Sequence, residues 1–389
     1  MQQTQDNRSR MHRPVIIGAG IAGLTFGIAL RQFGIDAEIY ESAPALQPIG
    51  AGIWMAPNAM QIFDRLGLAS QIVAAGVEIE RVSVVDARLR EIASVDQARS
   101  KAKFAFPIIA IQRAELHRIL LGAFGAGALH LGKKLAGIEN ILEMPNAIFE
   151  DGMSAPGSLL IGADGVHSAA RKAVFGDMHL RQTGQICWRG LADFDLPKEF
   201  RRRTIEMWDQ ASRMGIADVG HGKAYWFLVK KCAKGEPRPQ DYKENLLNIV
   251  EGYTDAAAKL IEATPVNAIN EVELQDLPPR LPWSRGKVCL IGDAAHPMTP
   301  NMGQGGAQAV EDAYSLSRFV SGDADPVRAF EAFQQRRFRK VKSIVSTSFY
   351  SGEFIHSGWP RLRNFLFRIT PDRLGALSME RFYRIDDSV

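Results

Sequence analysis

The sequence predicts an α/β architecture that carries an inserted, mainly antiparallel β-sheet and a C-terminal helical segment. Three observations predict it. Residues 14–41, 158–171 and 286–320 each run strand, glycine-rich turn, helix, the pattern of a parallel sheet and its crossovers. Residues 184–229, between the second and third of these units, break into short alternating segments rich in aromatics and methionine. Beyond residue 329 the apolar spacing is helical and arginine is frequent.

At 389 residues the chain is long enough for two or three domains, or one large discontinuous one. Its apolar fraction, 46%, is ordinary for a globular protein. A net charge of +4 is small for this length and does not point to nucleic acid. Cys187, Cys232 and Cys289 lie far apart, with no CxxC pair and no Cys/His cluster. Neither a metal site nor a disulfide framework is expected, which fits a reducing, cytoplasmic setting. Residues 1–13 are polar and basic without an apolar core segment, so they read as a disordered tail and not as a signal peptide. No apolar run reaches the length of about 18 residues that a membrane span needs.

In the first unit, 15–17 is a strand, GAGIAG (18–23) a turn, 24–33 a helix and 35–40 the next strand, ending on Glu41. This is a Rossmann-type fingerprint in its required context, with an acid about 20 residues on. Gly18 makes the tight turn, Gly20 lets the backbone reach a pyrophosphate, and Gly23 lets helix and strand pack closely. With Ala22 they form the candidate cofactor-binding turn, and Glu41 would hold ribose hydroxyls. The fingerprint alone does not separate NAD from FAD.

PIGAGIWMAPN (48–58) has two prolines, two glycines and an exposed-looking Trp54, so it reads as a loop able to line a flat ring, with Gly52 as a contact. A helix over 59–66 and strands over 77–86 and 104–112 follow. Arg113 opens a helix over 114–121. From there it reaches a phosphate or a ring carbonyl oxygen, or is simply solvated. GAFGAG (122–127) follows a helix, not a strand, and reads as a helix end. In SLLIGADGVHSAAR (158–171), 159–161 is a buried strand, Asp164-Gly165 a turn, and Ser168 a cap for the helix carrying Arg171.

ICWRGLADF, TIEMW, SRMGIADVG and AYWFLVK are antiparallel strands with turns at Asp209-Gln210 and Gly220-His221-Gly222. Their tryptophans and methionines are core as often as pocket. A loop at 237–241 precedes one amphipathic helix over 242–263. The third unit, GKVCLIGDAAHPMTPNMGQGGAQAVED (286–312), organises the rest. Its strand, 287–291, ends on Gly292 and Asp293, and a helix begins by 308. Asp293 at the strand end can accept hydrogen bonds from a sugar hydroxyl. Gly303, Gly305 and Gly306 let backbone N–H groups approach an anion near the helix N-terminus. Arg336, Arg337, Arg339, Lys340 and Lys342 make 329–350 a basic helix that reads as a solvated face, with a partner or membrane surface as the lesser alternative. Residues 354–383 are expected to cap the dinucleotide half.

Three of these stretches, in this order, resemble the class A flavoprotein monooxygenases, the p-hydroxybenzoate hydroxylase fold. They are GAGIAG with Glu41, LLIGADGVHSAAR and CLIGDAAHPMTPNMGQGGAQAVEDA, matching that family's dinucleotide fingerprint, DG motif and GD motif. PIGAGI..APNA and CWRG further resemble the subgroup of quinolone, salicylate and urate hydroxylases, zeaxanthin epoxidases and tetracycline-inactivating enzymes. The resemblance runs from Pro14 over nearly the whole chain. It implies a Rossmann-like FAD-binding domain, with FAD and not NAD in the fingerprint. Gly20, Glu41, Arg113 and Asp293 match FAD contacts. Gly303, Gln304, Gly305 and Gly306 match the loop under the isoalloxazine. Asp164 and Gly165 match the motif implicated in binding both the FAD pyrophosphate and the nicotinamide nucleotide. Pro300 matches the loop proline at the substrate face of the flavin. Two departures are Ser42, where many relatives carry a basic residue, and a short 135–152 segment.

The resemblance also implies the reaction. NADPH or NADH reduces FAD, O2 adds to form a flavin C4a-hydroperoxide, and a small aromatic or heteroaromatic substrate is hydroxylated or epoxidised. Arg189 and His221 are candidates for binding a phenolate-like oxygen, though Arg189 also reads as a surface ion pair and His221 as an exposed turn residue. Met207, Met214 and Trp226 are placed around the substrate, facing the flavin. A reductase or oxidase of the same fold, and a flavin-binding protein without turnover, stand as alternatives. The expected division is an FAD-binding domain (14–78, 104–182 and 280–335), a substrate domain (79–103 and 183–279) and a C-terminal helical cap (336–389), as a monomer or homodimer.

Overall fold

The computed structural model describes residues 13–46, 51–232, 242–356, 359–370 and 372–385. Val15–Ile17, buried throughout, lies between two parallel neighbours, Glu38–Tyr40 and Leu160–Gly162. The sheet continues in parallel to Leu129–His130 on one side and Val288–Leu290 on the other, where Ser284–Arg285 closes it as an antiparallel edge. Unbroken apolar runs are what strands buried on both faces require. The register sets Ile17, Gly162 and Leu290 side by side. All three glycine-rich turns therefore leave the sheet at the carboxyl ends of adjacent strands, where open α/β sheets bind ligands.

The fingerprint helix, Ile21–Arg31, starts directly after Gly20, earlier than the expected 24, because Ile21, Ala22 and Gly23 are themselves buried. A Cβ on Gly23 would stand 2.0 Å from the Gly18 carbonyl oxygen, so only glycine fits there. The segment expected as a loop over 48–58 is different. Residues 47–50 lie outside the described residues. Gly52–Met55 is a strand paired antiparallel with Ile109–Gln112, and Pro57 opens helix Pro57–Arg65. Proline at the first helical position loses no hydrogen bond, so it starts a helix as readily as it breaks one. Trp54 is half-buried, not exposed. The expected strand over 77–86 divides into Val77–Glu78 and Arg81–Asp86, which join different sheets. Phe104 ends helix Ala98–Phe104 instead of opening a strand. GAFGAG is a helix end, with Gly125 at φ 81°.

The second large sheet has seven strands in the order Asn270–Asp276, Arg181–Asp193, Lys223–Lys231, Ser212–Asp218, Arg203–Trp208, Arg81–Asp86, Glu91–Asp96. Every pairing is antiparallel except Arg203–Trp208 with Arg81–Asp86. The hairpins turn where expected, at Asp209-Gln210 and Gly220–Gly222. One face is covered by helices Tyr242–Ile249 and Asp255–Ala263, which replace the single helix expected over 242–263. The loop expected at 237–241 lies outside the described residues. The opposite face meets the nucleotide-binding half.

Pro326–Ile355 is one long helix. Its basic residues are not all solvated: Arg337 is 3% exposed and paired with Glu311 and Asp312, and Lys340 pairs with Glu311 at 2.7 Å. Helices Pro360–Ile369 and Asp372–Tyr383 do not simply cap the dinucleotide half. They brace strand Glu91–Asp96 at the edge of the large sheet. Phe367 meets Trp208 edge-on at 5.0 Å, and Glu380 pairs with Arg99 and Lys103. Only the far end reaches the nucleotide-binding half, where Gln61 donates to the Tyr383 carbonyl at 3.0 Å.

Candidate active site

Gly18 holds φ 103°, and a Cβ there would lie 2.6 Å from the Ala163 carbonyl oxygen. A Cβ on Gly20 would meet nothing within 4 Å, so the turn is open on that side. Ala22 packs toward the Gly292 turn. Glu41 accepts from the Ala19 N–H at 2.8 Å through one oxygen, and from Ala43 N–H at 2.8 Å and Ser42 Oγ at 3.0 Å through the other. Ser42, the departure from the family pattern, thus helps fix the acid. Glu41, expected to hold ribose hydroxyls, is held beside the open turn by these backbone donors.

The second and third turns are stitched together. Asp164 accepts from the Ser168 hydroxyl and from Ala170 N–H at 2.9 Å, and Ser168 accepts from Arg171 N–H at 2.8 Å as the expected cap. The Arg171 guanidinium then donates to the carbonyls of Ala294 at 2.9 Å and Asp293 at 3.3 Å. Burial pushes the Asp164 carboxyl up, against the hydrogen bonds that favour its charged form. Gly165 follows with φ 82°. Burial also pushes the Asp293 carboxyl up, while His296, Arg113 and Arg171 pull it down. Among the described residues no protein group donates to that carboxylate. Arg113 opens helix Arg113–Phe124 and is exposed, yet enough protein surrounds its guanidinium to lower its pKa, helped by the nearby Arg189.

The loop after Asp293 is shaped by close approaches. Pro300 is exposed and starts a short 3-10 turn. Gly303 holds φ 59°, with a Cβ position 3.2 Å from Trp54. Gly305 opens helix Gly305–Gly322, and a Cβ on Gly306 would lie 3.0 Å from Ile53. Gln304, 1% exposed, accepts from Gln308 Nε2 at 3.0 Å. Beneath the loop lies a buried polar network that the sequence did not reveal. Asp312 accepts from Gly292 N–H at 3.0 Å, from Arg337 Nε at 2.8 Å and from His296 Nε2 at 2.5 Å. Asp312 and His296 lie within the third motif, but Arg337 sits in the helix read as solvated.

The large sheet brings some expected residues to this loop and takes others away. Met207, Met214 and Trp226 are fully buried with Leu246, Leu260 and Ile261 under the covering helices, and Trp226 Nε1 donates to Thr264 Oγ1 at 2.8 Å. They face away from the glycine loop. The face toward it carries Arg189, Arg213, Tyr225 and Phe227. A Cβ on Gly52 would lie 2.4 Å from the Tyr225 ring, and Trp54 meets Phe227 edge-on at 6.3 Å. Arg213 donates to Asn301 of the loop and to Glu206 at 2.7 Å. Arg189 is half-buried, its Nε has no partner, and no carboxylate pairs with it among the described residues. His221 instead sits exposed at a hairpin tip with φ 57°, away from this face. Tyr225 and Phe227 were legible only as aromatics, because both faces of their strand are apolar.

His356, at the end of the long helix, is 6% exposed, and its Nε2 has no partner. Burial, then Arg213, Lys231 and Arg363, lower its pKa to about 3. The ring is neutral in the fold and ordinary, near pKa 6.5, when unfolded. Its contribution to stability is therefore complete above about pH 6.5 and lost as pH falls toward about 3. Urea unfolding at pH 7.5 and pH 5 should show a loss on acidification that His356→Gln reduces. Equal losses in parent and variant would refute this role.

Residues 13–347 match the family model described as FAD binding domain. The chain belongs to that family. Within it, the chain is similar to aurachin C monooxygenase/isomerase of Stigmatella aurantiaca, 38% identical over 343 residues, spanning 87% of this chain and 88% of that protein. It is 31% identical over 336 residues to FAD-dependent urate hydroxylase of Klebsiella pneumoniae subsp. pneumoniae, spanning 86% of this chain and 88% of that one. The crystal structure of Klebsiella pneumoniae HpxO complexed with FAD and uric acid superposes with a TM-score of 0.88 at 27% identity, covering 96% of each chain.

This FAD-binding family member is a flavoprotein monooxygenase. Its relatives are named as monooxygenases and hydroxylases, which sets aside the reductase and non-catalytic alternatives. Its residues fit FAD. The open side of Gly20 leaves room for a pyrophosphate, the Asp293 carboxylate without a protein donor suits a sugar hydroxyl, and the glycine loop before helix Gly305–Gly322 suits a flat ring. No helix among the described residues is long and apolar enough to cross a membrane.

Proposed function

We propose that the protein hydroxylates a small aromatic or heteroaromatic ring bearing an ionisable oxygen, with NADPH or NADH and O2 as co-substrates. Ring C–H, O2, NAD(P)H and a proton become ring C–OH, NAD(P)+ and water. Bound FAD supplies the reductive activation of oxygen. The observation that carries the substrate reading is Arg189, a cation with no carboxylate partner on the aromatic face that meets the glycine loop. Trp54, Tyr225 and Phe227 would hold a ring and exclude water. Arg189 would take its oxygen as the anion, which enriches the ring carbon to be oxidised. Burial keeps the Tyr225 phenol protonated, so it serves as a neutral donor. A urate hydroxylase among the relatives supports a heteroaromatic ring. The need for NAD(P)H and three free cysteines favour the cytoplasm.

Hydroxybenzoates, quinolones and purines should be screened for stimulated NAD(P)H oxidation, with products weighed after turnover under 18O2. Label in the product supports the proposal. Stimulation without label in any product defeats it. For a verified substrate, Arg189→Met should lower kcat/KM about tenfold, the low end for a charge-assisted hydrogen bond, and leave FAD affinity unchanged. An unchanged kcat/KM would remove Arg189 from the substrate site.

A further inference from the structure

We propose that helix Pro360–Ile369 docks the protein onto the surface of an anionic lipid bilayer. The helix is amphipathic in the reverse of the usual sense. Leu362, Phe365, Leu366 and Ile369, at the i, i+3, i+4, i+7 spacing of one helical face, are 52%, 57%, 41% and 59% exposed. The face turned inward carries Arg363, 1% exposed, which donates to the Ile355 carbonyl and stacks 4.9 Å over Trp208. Trp359, just before the helix, is 73% exposed. Of the fifteen large apolar residues exposed among the described residues, eight lie between 350 and 377, and four of these share the one face of this helix.

The surroundings of the patch select the occupant. The helix carries three arginines and no carboxylate. Arg361 and Arg368, seven residues apart, lie along one side of the apolar stripe and are exposed, Arg368 also donating to the Glu91 carbonyl at 3.2 Å, so Arg361 is the cation open to a headgroup. An apolar stripe edged by arginine on one side, with a tryptophan at the end, matches the acyl–headgroup boundary of a bilayer rich in phosphate. A second copy of the chain fits less well. A ten-residue helix is about 15 Å long, and its stripe falls short of the roughly 800 Å² per partner of a stable interface. The protein would lie on the membrane without crossing it.

Flotation of the full FAD-loaded chain with vesicles tests this. The parent should float with phosphatidylcholine–phosphatidylglycerol vesicles and much less with phosphatidylcholine alone. Leu362→Glu with Phe365→Glu should reduce binding at least about tenfold. Arg361→Gln should reduce it about fivefold, on the anionic vesicles only. Retained FAD absorbance certifies the fold of each variant, and Ile369→Ser replaces the double variant if that loses its flavin. The proposal falls if the parent floats with neither vesicle, or if the variants float as the parent does. It also falls if sedimentation shows a dimer that the double variant dissolves and no lipid binding, because the stripe is then a self-association surface.

Discussion

Arg337→Ala is expected to destabilise the fold by about 3–5 kcal/mol, the cost of leaving a buried charge without its partner. Arg337 donates to Asp312, Glu311 and Gln308 at once, and Glu311 and Asp312 are 4% and 0% exposed. Without the guanidinium, Lys340 remains as a cation beside two buried carboxylates, and His296 as a hydrogen-bond partner of one of them. Burial alone would raise the Asp312 pKa, but His296 and Arg337 outweigh it and bring it down to about 2. A depressed carboxylate stabilises the fold above its unfolded pKa, about 4, and that contribution is lost as pH falls toward about 2. In the variant this acid sensitivity should begin at higher pH. Thermal unfolding should drop by roughly 4–6 °C for a chain of this length. Arg339→Ala, on the exposed side of the same helix, should stay within about 0.5 kcal/mol of the parent. If the two variants unfold alike, the buried network does not brace the third turn.

Asp293→Ala should weaken FAD binding about 10–150-fold, the range of one charge-assisted hydrogen bond. The apoprotein should be no less stable than the parent, because burial of the carboxylate outweighs the nearby positive groups and no donor bonds it among the described residues. Glu41→Ala should also weaken FAD binding, but with a different signature. Its oxygens already hold Ala19, Ser42 and Ala43, so its loss should loosen the fingerprint turn in the apoprotein too. Fluorescence of released FAD gives both affinities, and unfolding of the stripped proteins separates the two cases. Parent-like affinity in both variants would misplace the sugar hydroxyls.

Much of the nucleotide half was legible because its chemistry is local. Gly18 and Gly20 must lie between a strand and a helix and Asp293 at a strand end, and short stretches of sequence show that. The cap from Ser168 to Arg171 was equally readable, being a contact across one helical turn. What depended on distant partners was not. Arg337 looks like its solvated neighbours until Asp312, from another helix, is set against it. Met214 and Phe227 look alike in sequence, because the sheet is covered on both faces and no polar alternation marks the side toward the glycine loop. Trp54 seemed exposed because proline and glycine surround it, yet its strand pairs with Ile109–Gln112. The edge strands Glu91–Asp96 and Asn270–Asp276 escaped notice because edges carry more polar residues and weaker alternation.

The order in which the ribosome delivers the small sheet is not its order in space. Val15–Ile17 emerges first and gains Glu38–Tyr40 soon after, but its other neighbour, Leu160–Gly162, comes much later. Val288–Leu290 follows only when the entire seven-stranded sheet has been made. Until then the growing chain presents an unpaired apolar strand edge, the kind of surface on which chains aggregate. The third glycine-rich turn is missing over the same period, so cofactor capture belongs to the last stage of synthesis. Chains that stop before Gly286 should emerge colourless at any FAD concentration, and flavin supply should affect only what happens after that strand has joined.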